Sequence, residues 1–155
     1  MMLALLLALA PAPQIVAARG QWAALQQGRT CEAAARSLRP AIKDRPPPRA
    51  SLSFDAGGPR RGQLTVRLSR MPRPGASVML VIGEAQFLLL PQGDLAWSRG
   101  PAQEAAIITA MRNAGGMRVE ARSPGGGRIV DRYDLDGAPL AIDAAAACAA
   151  TLANR

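Results

Sequence analysis

The chain has no histidine, a single lysine and only two cysteines among its 155 residues. The missing histidine excludes a Ser-His-Asp or Cys-His nucleophile built from this chain alone, and it removes the commonest general base and metal ligand. Two cysteines without histidine cannot complete a tetrahedral zinc site. We therefore expect no metal, no cofactor and no enzymatic activity. Carboxylate-pair catalysis is the alternative, because the chain carries 11 Asp and Glu residues.

Aromatic residues are also scarce, at 3% of the chain, whereas hydrophobic residues as a whole make up 49%. The core must therefore be aliphatic, and stacking of bases on aromatic rings has little support. Basic and aromatic side chains do not interleave, so we expect no nucleic-acid partner. The length fits one domain.

The N-terminal segment predicts export. Residues 3–10 form a short apolar run, well below the ~20 residues that span a bilayer, and Pro11 and Pro13 follow it. Residues 16–18 (Val-Ala-Ala) offer a small-residue cleavage site. We interpret residues 1–18 as a signal peptide and residues 19–155 as a single β-rich domain that is periplasmic or secreted. The alternative is an N-terminal helix of the folded domain.

The two cysteines, Cys31 and Cys148, predict one disulfide between the start and the end of the mature chain. An even cysteine count in an exported protein favours a bridge, and the alternative is two separate buried thiols. Both cysteines fall on the apolar faces of predicted helices, over residues 28–38 and 139–152. The predicted buried faces consist of Cys31, Ala34, Ala35 and Leu38 in the first helix, and of Leu140, Ala144, Ala147, Cys148 and Thr151 in the last. That placement permits their pairing.

The remaining pattern is mostly that of strands. Leu64, Val66 and Leu68 alternate with polar residues, and residues 78–82 are continuously apolar. A helix is predicted over residues 101–114, with Pro101 in its first turn, and a hairpin over residues 117–135. The predicted fold is mainly β (α+β): an antiparallel β-sandwich-like domain with a central helix and helices near both ends of the mature chain.

The net charge of +8 comes almost entirely from arginine. Such a surplus favours anionic partners, although it also arises from genome composition. Five arginines surround two predicted turns and the strand between them: Arg60, Arg61, Arg67, Arg70 and Arg73. If these turns lie at one end of the sheet, they form an anion-binding patch; otherwise they are a solvated rim.

The order of these features resembles the invasion-associated locus B family of small exported bacterial proteins. Trp22 precedes a Gly-x-x-Cys at residues 28–31, a Val-Met-Leu-Val-Ile-Gly strand precedes Phe-Leu-Leu-Leu, and residues 133–142 read as strand, turn, Leu-x-Gly and helix. The sequence departs from the family at Trp97 and Ser98, near which members carry a further cysteine pair, and at Ala138, which replaces an aromatic residue. The resemblance implies a compact β-sandwich-like fold, no catalytic residues and a role at the bacterial envelope.

The expected function is therefore an exported, non-catalytic interaction or binding module of invasion-associated locus B type. Its partner would be an unidentified protein or an anionic envelope component. One alternative is a peripheral binder of anionic membrane or envelope surfaces that uses the five arginines. The other is a carboxylate- or metal-dependent enzyme.

Overall fold

The computed structural model describes residues 12–155. Two helices lie within these residues, α1 (Pro101–Arg112) and α2 (Ala138–Ala153). The strands follow the chain as β1 (Gln14–Arg19), β2 (Trp22–Gln27), β3 (Thr30–Arg36), β4 (Arg49–Asp55), β5 (Arg61–Arg67), β6 (Val78–Ile82), β7 (Ala85–Gln92), β8 (Leu95–Trp97), β9 (Gly116–Arg122) and β10 (Arg128–Asp134). No helix between residues 12 and 155 is long and apolar enough to cross a membrane.

All ten strands join one antiparallel sheet in the order β1-β2-β3-β4-β5-β8-β7-β6-β9-β10. Two contacts bring the far end of this sheet back to its beginning. The indole N–H of Trp22 donates to the carbonyl of Asp134 at 2.7 Å, and the N–H of Leu38 donates to the carbonyl of Arg132 at 2.8 Å. The sheet therefore folds over on itself, and the predicted mainly β architecture with a central helix is confirmed.

One mainly aliphatic core, which also contains Trp22, Phe54 and Tyr133, fills the space inside the folded sheet. In β5, Leu64 and Val66 are buried while Thr65 between them stays partly exposed, as a two-residue period requires. Helix α1 contributes Ile107 and Met111 to the same cluster. Helix α2 contributes mainly alanines instead, which lets it lie close to β1, β2 and β3. Its buried residues are Ala138, Ala141, Ile142, Ala145 and Ala149.

The predicted helix over residues 28–38 is wrong. Residues 30–36 form β3, which is paired on both sides, with β2 and with β4. Cys31, Ala33 and Ala35 alternate toward the core, whereas Leu38, expected on the buried helical face, is 56% exposed. Alanine favours a helix by intrinsic propensity, but its small side chain also fits a strand that is paired on both sides. Here the pairing with two neighbouring strands outweighs the helical propensity.

The other two predicted helices are confirmed with small shifts at their ends. Helix α1 ends at Arg112, two residues earlier than expected, and α2 begins at Ala138 and ends at Ala153. The buried face of α2 was predicted wrongly, because Leu140 is 42% exposed. Alanine-rich helices give a weak apolar stripe, and packing decides which side is covered.

The disulfide between Cys31 and Cys148 is confirmed, with an S–S distance of 2.03 Å and Cα atoms 6.1 Å apart. The disulfide joins strand β3 to helix α2, whereas the sequence predicted that it would join two helices. The bond closes a separation of 117 residues and fixes the last helix on the sheet. A structural disulfide is compatible with an extracytoplasmic location.

The predicted signal peptide falls mostly outside the described residues, which begin at residue 12. Its predicted cleavage site lies within β1, which pairs with β2 from Gln14 to Arg19. Strand β1 is largely exposed and lies at the edge of the sheet. Cleavage at residue 18 remains a prediction.

Candidate anion-binding surface

The five arginines predicted to form one patch lie at the two ends of β5. Arg60 and Arg61 stand at its beginning, whereas Arg67 is its last residue. Arg70 and Arg73 follow in the loop that leads to β6. A seven-residue strand is about 20 Å long at the usual rise per residue, so the structure separates Arg60 and Arg61 from the other three, which lie at or beyond the far end of the strand.

Arg60 is engaged by a carboxylate at its own end of the strand. Its Nη2 lies 2.8 Å from Oδ1 of Asp55, its Nε lies 3.0 Å from Oδ2, and Nη2 also contacts Oγ1 of Thr30 at 3.3 Å. This hydrogen bonding lowers the pKa of Asp55 below its ordinary value. Arg60 therefore closes the turn between β4 and β5.

Arg61 lies next to this turn and lines a cavity of about 630 Å³ together with Glu104 and Ile108. The Glu104 carboxylate is buried and accepts a hydrogen bond of 2.6 Å from the Ser98 hydroxyl. The Ser98 hydroxyl in turn accepts the backbone N–H of Leu64 at 3.1 Å. These contacts hold the start of α1 against β5. The Glu104 carboxylate, bonded to Ser98, therefore serves a structural role.

The opposite end of β5 carries a feature that the sequence analysis missed. Arg36 on β3 lies directly opposite Arg49 on β4, and Arg49 lies directly opposite Arg67 on β5. We call these three residues the arginine row. They occupy the outward face, because Ala35, Ala50 and Val66, the residues adjacent to them in sequence, point into the core.

Only the middle member of the arginine row has a carboxylate partner among residues 12–155. Nη2 of Arg49 contacts Oε1 of Glu32, which stands on the same face of the neighbouring strand. The side chain of Arg49 is 35% exposed and that of Glu32 is 26% exposed. In the described part of the chain, Arg36 and Arg67 form no ion pair.

The loop after β5 extends this basic surface. We call residues 68–77 the β5–β6 loop; it contains Arg70 and Arg73, which have no ion-pair partner within the described residues. Arg70 lines a cavity of about 230 Å³ that also includes Arg45 and one carboxylate, Asp94. Two arginines thus share this cavity with a single acid.

Three backbone hydrogen bonds hold the β5–β6 loop in place. The N–H of Leu68 donates to the carbonyl of Asp94 at 2.7 Å, and the N–H of Arg73 donates to the carbonyl of Arg122 at 2.8 Å. Between them, the N–H of Ser69 donates to Oδ2 of Asp131 at 2.8 Å. The loop is therefore attached at its start and near its middle to three other segments of the fold.

Apolar surface lies beside these arginines. Met71 is 56% exposed and lines a cavity of about 410 Å³, whose walls are mainly proline and glycine from three loops. On the outward face of the sheet, Leu95 lies opposite Arg67, and Leu90 lies opposite Trp97. Leu90 is 46% exposed. The surface is thus amphipathic, with arginines adjoining exposed aliphatic side chains.

No group of three or more Cys, Asp or Glu side chains in the described residues is arranged to hold a metal ion. In comparisons with known proteins, no family model, curated protein or solved structure matches this chain.

Proposed function

We propose that this protein is an exported, non-catalytic binding module that attaches peripherally to anionic surfaces of the bacterial envelope. The envelope role follows the resemblance to the invasion-associated locus B family, and the disulfide is compatible with it. The surface that would make contact consists of the arginine row and the β5–β6 loop. The observation that carries the proposal is that cations without ion-pair partners in the described residues adjoin exposed aliphatic side chains at this end of the sheet.

An anionic lipid surface fits both halves of this arrangement. Arg67, Arg70 and Arg73 offer guanidinium groups to lipid phosphates, and each basic residue near an anionic membrane contributes about 1 kcal/mol. Met71 is exposed beside them and can enter the boundary between headgroups and acyl chains. Charge attraction and apolar burial would then act at the same site.

Flotation with lipid vesicles tests this proposal. The chain should bind vesicles that contain phosphatidylglycerol, bind pure phosphatidylcholine weakly, and lose binding as ionic strength rises. The double variant Arg70→Gln/Arg73→Gln should lower the partition coefficient by roughly 30-fold, since two charges near the surface contribute about 2 kcal/mol.

The matched control removes two charges from the opposite end of the molecule. Arg61 begins β5, and Arg155 follows α2; neither has an ion-pair partner in the described residues. Arg61→Gln/Arg155→Gln should leave vesicle binding close to that of the natural chain. Equal losses in both double variants, or binding that ignores both lipid charge and salt, would contradict the proposal.

A further inference from the structure

We propose that the arginine row is a phosphate-binding site, formed by Arg36 and Arg67 on either side of Arg49. This inference rests on the proposed function and names the chemical group recognised there: a phosphate, carried by a lipid headgroup or free in solution. The three residues come from positions far apart in the chain. Only the register of β3, β4 and β5 brings them side by side.

Like charges that face each other across strands destabilise a sheet. Neighbouring strands are about 4.8 Å apart, so the backbone positions of the three arginines span about 10 Å. Glu32 neutralises one of the three charges and leaves the row with a net excess of two. The fold therefore tolerates an electrostatic cost at this position, and an anion bound across the row would remove it.

The pairing of Arg49 with Glu32 fixes the middle guanidinium and leaves the outer two available. A phosphate carries several acceptor oxygens around one phosphorus atom and can receive hydrogen bonds from guanidinium groups that approach from two sides. The planar fork of arginine suits this geometry better than the compact ammonium of lysine. A carboxylate has only two acceptor oxygens, both in one plane, and so offers fewer directions of approach than the tetrahedral oxygens of a phosphate.

The surroundings favour a phosphate attached to an apolar group. Leu95 is the direct cross-strand neighbour of Arg67, and Leu90 and Trp97 form the next pair along the same face. A phospholipid whose phosphate lies on the arginine row would have its acyl region beside these side chains. Free phosphate would use the arginines alone, so the two sources make different contacts.

Titration with inorganic phosphate at constant ionic strength tests the site, followed by NMR of the arginine Nε–Hε groups. We expect saturable shifts confined to Arg36, Arg49 and Arg67, with chloride producing none. Arg67→Gln should weaken phosphate binding about tenfold or more, as expected for loss of a charged hydrogen-bonding group. Arg61→Gln is the matched control, because Arg61 stands at the other end of the same strand.

Arg36→Gln provides a second test, since Arg36 is exposed at the end of β3 and its replacement leaves the core unchanged. It should weaken phosphate binding to a similar degree. Shifts that do not saturate, or equal losses in Arg61→Gln and Arg67→Gln, would overturn the phosphate site.

Vesicles identify the source of the phosphate. Stronger binding to phosphatidic acid than to phosphatidylglycerol at matched surface charge, abolished by Arg67→Gln, would assign the site to a lipid phosphomonoester. Saturable phosphate binding without that preference would assign it to free phosphate. If vesicles bind through Arg70 and Arg73 while phosphate titration fails, the phosphate site is refuted and the proposed function stands.

Discussion

The backbone N–H of Ser69 donates a hydrogen bond of 2.8 Å to Oδ2 of Asp131, across 62 residues of sequence. Asp131 is fully buried, and its other carboxylate oxygen lies 3.4 Å from Nε of Arg39. This carboxylate therefore joins β10 to the start of the β5–β6 loop and to the segment after β3. The loop that presents Arg70 and Met71 is held by a contact inside the fold.

Removing Arg39 should destabilise the protein more than neutralising Asp131. Arg39→Ala leaves a buried carboxylate without its cation, a change that costs about 3 kcal/mol or more. Asp131→Asn removes the charge but keeps an oxygen for the N–H of Ser69, so we expect a loss of about 1 kcal/mol. Urea unfolding of both variants measures the difference. Equal losses would mean that the ion pair contributes nothing beyond the hydrogen bond.

The disulfide should supply a large part of the folding free energy. Closing 117 residues corresponds to at most about 5 kcal/mol in the chain-entropy treatment. The variant Cys31→Ala/Cys148→Ala should therefore unfold at clearly lower urea concentration and at lower temperature. Dithiothreitol should destabilise the natural chain and have no effect on the double variant. An unchanged midpoint on reduction would show that α2 docks without the covalent link.

Local patterns predicted those elements whose signals do not depend on distant partners. The alternation of Leu64 and Val66 identified β5, and Pro101 with Glu104 identified the start of α1. The pairing of Cys31 with Cys148 followed from their number. Strand β3 was missed because alanine-rich segments carry little periodic signal of their own.

The arginine row could not be found from the sequence, because it exists only through strand register. Arg36, Arg49 and Arg67 are separated by loops of different lengths, and a shift of one residue in either pairing would move them to different rows or faces. The sequence grouped Arg60 with Arg67 because they are close in the chain. The strand between them keeps them at opposite ends of the sheet.

The turn between β4 and β5 should make stability depend on pH through Asp55. Hydrogen bonding to Arg60 lowers the pKa of Asp55 in the folded state. The resulting stabilisation is fully present at pH values above the ordinary aspartate pKa of about 3.9. It is lost as the pH falls through the lowered pKa of the folded state. Asp55→Asn should therefore cost about 1 to 2 kcal/mol near neutral pH and much less in acid.

Asp143 is the control for this pH dependence. Its pairing with Arg112 also lowers its pKa, but its side chain is 67% exposed, against 15% for Asp55. Exposed ion pairs contribute little, so Asp143→Asn should change stability by about 0.5 kcal/mol or less. Urea unfolding across the acidic range separates the two variants. A pH-independent loss in Asp55→Asn would refute the electrostatic explanation.

Gly137 marks the place where the end of β1 packs against the start of α2. Its φ angle is +86°, and a Cβ atom added there would lie 2.1 Å from the carbonyl oxygen of Arg19. Alanine would adopt an unfavourable backbone conformation at a cost of about 1 to 2 kcal/mol. It would also displace the backbone of Arg19, which adds about 1 to 3 kcal/mol of overpacking. Gly137→Ala should therefore be strongly destabilising.

Gly126 separates these two costs, because it has the same φ of +86° and nothing within 4 Å of its added Cβ. Gly126→Ala should cause only the conformational loss, so the difference between the two variants measures the contact with Arg19. The same difference should appear in limited proteolysis, with faster cleavage near β1 in Gly137→Ala alone. If the two substitutions lower the unfolding midpoint equally, the backbone at Arg19 moves away without loss of stability. In that case the contact with Gly137 does not hold the end of β1 in place.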